Sequence, residues 1–225
     1  MKNKNNFTNK LISKKLQLKN DFEVENNFYY KTHKTRLQKV FNHYELIKKI
    51  VKVKGDIVEL GVFKGISLIR IAQIRDILKL KKKIYGFDTF KEFPSSKNSH
   101  EYERQFPKYF KKIVGKPIAK KKLEVILKKK QLNNIKLIEG DIFKSLNIFK
   151  KKKIKISMLH LDLDLEEATL FALNNLFKFI SKGGIIILDD YKIHPGIKRA
   201  ADKALRNKKI ISPFYGSNPS FFIKD

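Results

Sequence analysis

Acidic side chains that could take part in chemistry follow several short apolar runs in this sequence. They are Glu59, Asp88, Asp141, Asp162 and the pair Asp189-Asp190. Short apolar runs are typical of strands buried on both faces, and open parallel sheets bind ligands beyond the carboxyl ends of their strands. We therefore expect these carboxylates to gather along one edge of a sheet, where a binding site would lie.

A strand-to-helix turn in residues 59–67 carries two glycines four positions apart, Gly61 and Gly65. Glycine permits close backbone approach, and the helix that follows offers free N–H groups to a ligand. The segment lacks the G-x-G-x-x-G pattern of dinucleotide-binding proteins, because position 63 is Phe, and it lacks the P-loop pattern. Taken alone, the segment fits a plain tight turn as well as a ligand-binding loop.

The carboxylates around this turn indicate which ligand it binds. Asp88 closes the next strand, where a carboxylate can accept hydrogen bonds from both hydroxyls of a ribose. Asp141 closes the third strand and could meet an adenine edge, while Glu59 would favour a cationic amino group. Each acid alone could also be a solvated strand end or a helix N-cap. Together they indicate a nucleoside with a cationic amino-acid tail, which is S-adenosylmethionine.

A second group of carboxylates comes from two later strand ends, with Asp162 on one and Asp189 and Asp190 on the other. Carboxylates packed together repel unless they are protonated or bridged by a cation, and all-oxygen ligation suits Mg²⁺, Mn²⁺ or Ca²⁺. The alternative is that one acid caps the helix near Ala168 while the others face water. A cation would stabilise an alkoxide that develops from a weakly acidic hydroxyl. We assign Asp162 as ligand and general base, and His194 as an alternative base or a substrate contact.

Strands and helices alternate along the chain. Apolar runs predict strands over 57–60, 83–87, 135–139, 154–161 and 185–188, and helical spacing predicts helices over 29–53, 67–78, 123–131, 168–180 and 195–206. This alternation predicts an α/β fold with a mostly parallel central sheet and helices on both faces. Residues 1–27 are predicted to be a flexible basic arm, residues 28–225 the single domain, residues 95–117 an irregular insertion or lid, and residues 212–223 closing strands.

The composition restricts the classes of function. The formal charge is +29, but the lysines form short scattered runs without interleaved aromatic residues, which favours a solvated surface over a nucleic-acid-binding face. Such a positive field would attract an anionic small substrate, for example a nucleotide-linked sugar. The absence of cysteine excludes disulfides and a thiolate nucleophile. The sequence has no apolar run long enough to span a membrane and no signal-peptide pattern, so we expect a cytoplasmic protein.

Three segments together resemble the macrocin O-methyltransferase family. They are Glu59-Leu60-Gly61-Val62-Phe63-Lys64-Gly65, Asp162-x-Asp164-Leu165-x-x-x-Thr169, and Gly183-Gly184-x-x-x-x-Asp189-Asp190-Tyr191. Shorter similarities occur at residues 87–90 and 140–143, and the resemblance covers roughly residues 30–206 in order. The combination is much more specific than any one of its segments.

The resemblance implies a class I methyltransferase with a Rossmann-like fold that uses S-adenosylmethionine and Mg²⁺ to methylate hydroxyls of deoxysugars. It implies cofactor contacts by Glu59, Gly61, Phe63, Lys64, Gly65, Ser67, Asp88, Thr89, Asp141 and Ile142. It implies metal ligation by Asp162, Asp189 and Asp190, with Asp162 also the base, and acceptor contacts by Tyr191 and His194. A sugar or nucleotide sugar is then the small-molecule partner, and a homodimer is the family's expectation.

The sequence departs from the family pattern beside the expected acceptor pocket. Leu163, Glu166 and Ala168 stand where the family commonly has glycine, tyrosine and serine. These differences bear on the acceptor more than on the cofactor. Three alternatives therefore remain open: a methyltransferase of another small hydroxylated metabolite such as a catechol, an RNA-binding or RNA-modifying protein, and a fold that binds the cofactor without catalysis.

Overall fold

The computed structural model describes residues 18–91, 101–152 and 154–225. The chain divides into two compact units between Gln38 and Lys39. Helix α1 (Leu18–Lys31) belongs to the first unit, and helix α2 (Thr35–Lys49) spans the division. Of the predicted basic arm, residues 1–17 lie outside the described residues and the remainder belongs to α1, so its flexibility stays a prediction.

The second unit is built on a six-stranded sheet in the order β3-β2-β1-β4-β5-β6. The strands are β1 (Asp56–Leu60), β2 (Ile84–Asp88), β3 (Ile135–Glu139), β4 (Ile156–Leu161), β5 (Ile180–Leu188) and β6 (Ser220–Ile223). Strands β1 to β5 pair in parallel, and β6 is antiparallel to β5. This confirms the predicted mostly parallel sheet.

Helices follow most of the strands. They are α3 (Ile66–Ile77), α4 (Glu101–Val114), α5 (Lys120–Lys129), α6 (Ile142–Ser145), α7 (Asn147–Lys152), α8 (Glu166–Leu176) and α9 (Pro195–Ala204), with a 3₁₀ turn at Phe177–Phe179. None of the helices in the described part of the chain is long and apolar enough to cross a membrane.

The sheet is buried on both faces because alternate side chains of its central strands enter two different apolar clusters. In β5, Ile186 and Leu188 pack into the cluster that includes Leu173 of α8, whereas Ile185 and Ile187 pack into the cluster that includes Leu68 of α3. Burial of both faces explains why the strands read as continuous apolar runs in the sequence.

Two elements differ from the sequence-based expectation. The predicted helix over 29–53 is two helices, separated by the break between Lys31 and Thr35. The segment 95–117, predicted to be irregular, contains helix α4, while residues 95–100 lie outside the described residues. Whether this segment acts as a lid stays a prediction.

The glycine pair Gly183-Gly184 lies inside β5 instead of ending the preceding helix. The pairing of β4 with β5 shifts its register between Ile156 and Met158, opposite this pair. A Cβ on Gly184 would lie 2.7 Å from the carbonyl oxygen of Ser181. The two glycines therefore accommodate an irregularity in the ladder, a common role of glycine within strands.

The cofactor turn after β1 comes very close to the end of β4. Gly61 has φ +90°, and a Cβ there would lie 1.8 Å from the carbonyl oxygen of Asp162. Only a residue without a side chain can hold these two strand ends at this distance. The turn and the aspartates after β4 are thereby placed beside each other.

Replacing Gly61 by alanine should lower the free energy of unfolding by about 3 kcal/mol or more, because backbone strain and a backbone clash add together. Gly115→Ala is the matched control. Its φ is also positive, at +80°, but its added Cβ would meet only the end of the Lys64 side chain at 3.6 Å. We expect it to cost about 1 kcal/mol. Urea unfolding measures the stability of both variants. Equal losses of stability would contradict the close approach of Gly61 to the Asp162 carbonyl.

Candidate active site

A cavity of about 420 Å³ lies at the carboxyl ends of β1, β2, β3 and β4. Its volume is within the usual range for sites that bind small ligands and cofactors. The predicted site residues that line it are Gly61, Phe63, Asp88, Thr89, Asp141, Ile142 and Asp162. The structure thus brings most of the predicted cofactor residues to one cavity, together with the predicted base.

Four other predicted cofactor residues are not part of the cavity lining. Glu59 is fully buried within β1 and pairs with His160 of β4, with 3.0 Å between Oε1 and Nδ1. The Lys64 ammonium donates to the carbonyl oxygen of Val114. Gly65 directly precedes α3, and Ser67 lies in its first turn. Their contacts with the cofactor stay predictions.

Asp88 and Asp141 shape the cavity through backbone hydrogen bonds. One oxygen of Asp88 accepts from the amides of Val62 and Phe63, each at 2.8 Å, and the other accepts from the amide of Phe90 at 2.6 Å. Asp141 is the N-cap of α6 and accepts from the amide of Phe143 at 2.9 Å. Asp88 therefore fixes the cofactor turn.

Three carboxylates converge after β4 and β5: Asp162, Asp164 and Asp190 each contribute an oxygen to a group whose members lie within 4.8 Å of one another. Burial and mutual repulsion raise the pKa of Asp162 well above its ordinary value. The same causes raise the pKa of Asp164 to about 7, and burial with the charge of Asp189 raises the pKa of Asp190. This donor set fits a hard divalent cation, which would relieve the repulsion.

The predicted metal ligands are Asp162, Asp189 and Asp190, and the structure groups Asp162 and Asp190 with Asp164. Metal ligation by any of these residues stays a prediction. Asp189 binds the Lys39 ammonium at 2.6 Å and lies 3.7 Å from Nε2 of His160. Burial alone would raise the pKa of Asp189, yet these two partners hold it well below the ordinary value. Asp189 is thus already paired with cations supplied by the protein.

Sequence reasoning missed the two residues that hold Asp189. His160 is buried in β4, and although burial opposes its charge, the neighbouring carboxylates of Asp189 and Glu59 raise its pKa to about 10. Lys39 lies in α2, 150 positions before Asp189. A histidine inside the apolar run of β4 was a usable signal, whereas nothing local to Lys39 points to a partner so distant in the chain.

The predicted acceptor contacts lie near the cluster but do not line the cavity. The Tyr191 hydroxyl donates to Asp202 at 2.6 Å. His194 is buried just before α9, and its amide donates to the Asp190 carbonyl oxygen at 2.8 Å. Their contacts with an acceptor stay predictions.

Residues 108–117, which we call the wall segment, supply another side of the cavity through the end of α4 and the loop after it. The Phe110 ring packs against Phe63 of the cofactor turn, with 5.1 Å between centroids. Farther back in α4, buried Glu103 accepts from the amide of Glu166 at 2.8 Å. The helix is therefore held both at the cofactor turn and at the start of α8.

Comparison with known proteins agrees with this geometry. A family model described as macrocin O-methyltransferase matches residues 11–216. No curated protein matches the sequence significantly.

Solved structures share the fold at low sequence identity. The O-methyltransferase NovP has a TM-score of 0.72 at 21% identity over 83% of this chain and 79% of its own. The calicheamicin methyltransferase CalS11 has a TM-score of 0.68 at 21% identity over 99% of this chain and 93% of its own. An O-methyltransferase from Bacillus cereus in complex with SAH has a TM-score of 0.53 at 14% identity, over 84% of this chain and 81% of its own.

The carboxylate cluster predicts a pH-dependent response to Mg²⁺. Because the folded-state pKa of Asp164 is raised to about 7, its deprotonation removes stability as pH rises from about 4 to 7, and a bound cation should restore that stability. At pH 8, Mg²⁺ at about 100 times its Kd should add about 2.7 kcal/mol, or roughly 5–10 °C in Tm. At pH 5 the stability gained from Mg²⁺ should be much smaller, because Asp164 is then protonated.

Asp164→Asn supplies the control in the same thermal-unfolding assay. Without cation at pH 8 the variant should be more stable than the original protein, because one repelling charge is removed, and Mg²⁺ should no longer raise its Tm. An equal Mg²⁺ response in both proteins would show that the cation binds somewhere else.

Proposed function

Because the chain belongs to the macrocin O-methyltransferase family, and is an S-adenosylmethionine-dependent O-methyltransferase, we propose that it methylates a hydroxyl of a sugar or sugar nucleotide with the help of Mg²⁺. The observation that carries this proposal is the position of the carboxylate cluster. Asp162 and Asp164 belong both to that cluster and to the lining of the cavity beside the cofactor turn. A methyl donor and a hydroxyl acceptor can therefore meet at one strand end.

The cofactor side of the cavity is preorganised by this chain's own residues. Asp88 holds the turn that contains Gly61, and Asp141 holds the start of α6, so both loops are set before a ligand binds. When bound, S-adenosylmethionine supplies a methyl group on a sulfonium, which is open to attack by an oxygen. A fixed cofactor turn beside Asp162 would help to orient the two reactants, and orientation supplies much of the acceleration of a bimolecular transfer.

A divalent cation would be held by Asp162, Asp164 and Asp190. It would supply Lewis-acid stabilisation to the acceptor oxygen as that oxygen loses its proton. Asp189 has a different task in this scheme. Through Lys39 and His160 it keeps two positive charges beside the cluster, which limits the repulsion among the other carboxylates.

Asp162 is the general base of the proposed reaction. Its carboxylate takes the proton from the acceptor hydroxyl, and the oxygen forms a bond to the methyl carbon. The carbon–sulfur bond breaks with its electrons remaining on sulfur. The position of Asp162 in the lining of the cavity beside the cofactor turn supports this role.

A sugar acceptor is supported by the structural relatives. CalS11 is described as a TDP-rhamnose 3′-O-methyltransferase in calicheamicin biosynthesis, and it shares the fold at 22% identity with a TM-score of 0.65. The predicted homodimer and cytoplasmic location remain part of this proposal, and we assign no nucleic-acid substrate.

Asp162→Asn should lower kcat by at least about 100-fold while leaving the affinity for S-adenosylhomocysteine within about twofold, since the amide cannot accept the proton. The assay is transfer of labelled methyl from S-adenosylmethionine across a panel of sugars and sugar nucleotides with Mg²⁺. Calorimetry gives the affinity. Asp76→Asn, on α3 and paired with Arg75, is the matched control and should keep full activity.

Two results would contradict the assignment. Methyl transfer that continues unchanged in EDTA would remove the cation from the scheme. Normal turnover by Asp162→Asn would remove Asp162 as the base.

A further inference from the structure

The loop before β6 contacts the carboxylate cluster without lining the cavity. In the antiparallel pair of β5 and β6, Leu188 lies opposite Ser220. Asp190 stands two positions after Leu188, and Asn218 stands two positions before Ser220. The register of the two strands therefore brings them together, and the side-chain amide of Asn218 donates to Oδ1 of Asp190 at 3.2 Å. The methyl-transfer scheme gives this contact no role.

The loop is held in place by a second asparagine, Asn42 of α2, which is fully buried. The Asn42 side-chain amide donates to the carbonyl oxygens of Tyr215 and Asn218 at 2.8 and 2.9 Å, and its oxygen accepts from the backbone amide of Tyr215 at 3.0 Å. Both polar atoms of this buried side chain are thus hydrogen-bonded to the loop. Asn42 therefore fixes the backbone from which the Asn218 side chain extends.

The orientation of the Asn218 side chain is unfavourable for stability. The residue is only 9% exposed, and its Oδ1 has no hydrogen-bond partner among the residues that the structure describes. An unpaired buried carbonyl oxygen destabilises the folded state. An ionised carboxylate can only accept, so the amide has to turn its N–H toward Asp190 and leave its oxygen on the other side. The orientation therefore serves the carboxylate cluster at the expense of one buried hydrogen bond.

We propose that Asn218 is a positioning residue for the divalent cation: its N–H holds the Asp190 carboxylate in the orientation that ligation needs, and Asn42 holds Asn218. This inference rests on the proposed function, because that function includes the cation. Hydrogen bonds to a ligating carboxylate fix its orientation, and their loss typically lowers metal affinity 10–100-fold. Lys39, three positions before Asn42 in α2, binds Asp189 directly. One helix therefore supports both aspartates that follow β5.

The binding test measures the Kd for Mn²⁺ at pH 8, from the electron paramagnetic resonance of the free ion, with no substrate present. Asn218→Ala should raise this Kd about tenfold or more. Asn218→Leu removes the same donor but keeps the size of the side chain, and it should raise the Kd by a similar factor. Asn175→Ala is the matched control, because the Asn175 amide donates within α8 to the Phe171 carbonyl oxygen at 2.9 Å, and it should keep the original Kd.

Two further measurements separate positioning from a general loss of structure. Thermal unfolding in EDTA should give Asn218→Leu a Tm within about 3 °C of the original protein, so that its weaker binding cannot come from unfolding. In methyl transfer, the Mg²⁺ concentration for half-maximal turnover should rise in parallel with the Kd for Mn²⁺. The kcat at saturating Mg²⁺ should stay within about threefold, since the cation then occupies its site.

The outcomes distinguish a failure of this inference from a failure of the proposed function. An original Kd in Asn218→Leu would overturn the inference, because the loop would then need the size of the side chain and not its N–H. Equal Kd values for all four proteins would remove Asn218 from the cation site and leave the proposed function standing. If Mn²⁺ does not bind the original protein, the proposed cation site is rejected and this inference falls with it.

Discussion

The repulsion among four aspartates at the ends of β4 and β5 is the constraint on which the site depends. Asp162, Asp164, Asp189 and Asp190 share a small and partly buried region, and that charge must be offset for the fold to tolerate it. The protein offsets one of the four with Lys39 and with protonated His160. The other three keep raised pKa values and form a donor set for a divalent cation.

The same constraint explains why a glutamate is buried in the middle of β1. Glu59 accepts from His160, and a buried carboxylate is tolerated when it is paired with a cation. The chain of contacts Glu59–His160–Asp189–Lys39 therefore crosses from β1 through β4 and β5 to α2. It pairs Asp189 with Lys39 and His160, and the metal ligation predicted for Asp189 stays a prediction.

Much of the fold and the general location of the site could be predicted from the sequence. Apolar runs identified the strands because the sheet is buried on both faces, and the acids that follow them mark the edge where the cavity lies. The grouping of Asp164, and not Asp189, with Asp162 and Asp190 could not be predicted. It depends on the left-handed backbone of Asp164, with φ 58°, and on Lys39, whose proximity to Asp189 exists only in the folded chain. Helix α4 was also missed, since its residues were interpreted together with the Ser- and Pro-containing segment before it.

The most direct test of the carboxylate cluster as a metal site is a crystal structure with S-adenosylhomocysteine and Mn²⁺, in which anomalous scattering locates the metal. We predict one anomalous peak coordinated by Asp162, Asp164 and Asp190, with the sulfur of the cofactor product facing it across the cavity beside Gly61. A peak among His43, His160 and Asp189, which form a second group of possible ligands, would contradict this prediction. Binding of the cofactor product outside the cavity would contradict it equally.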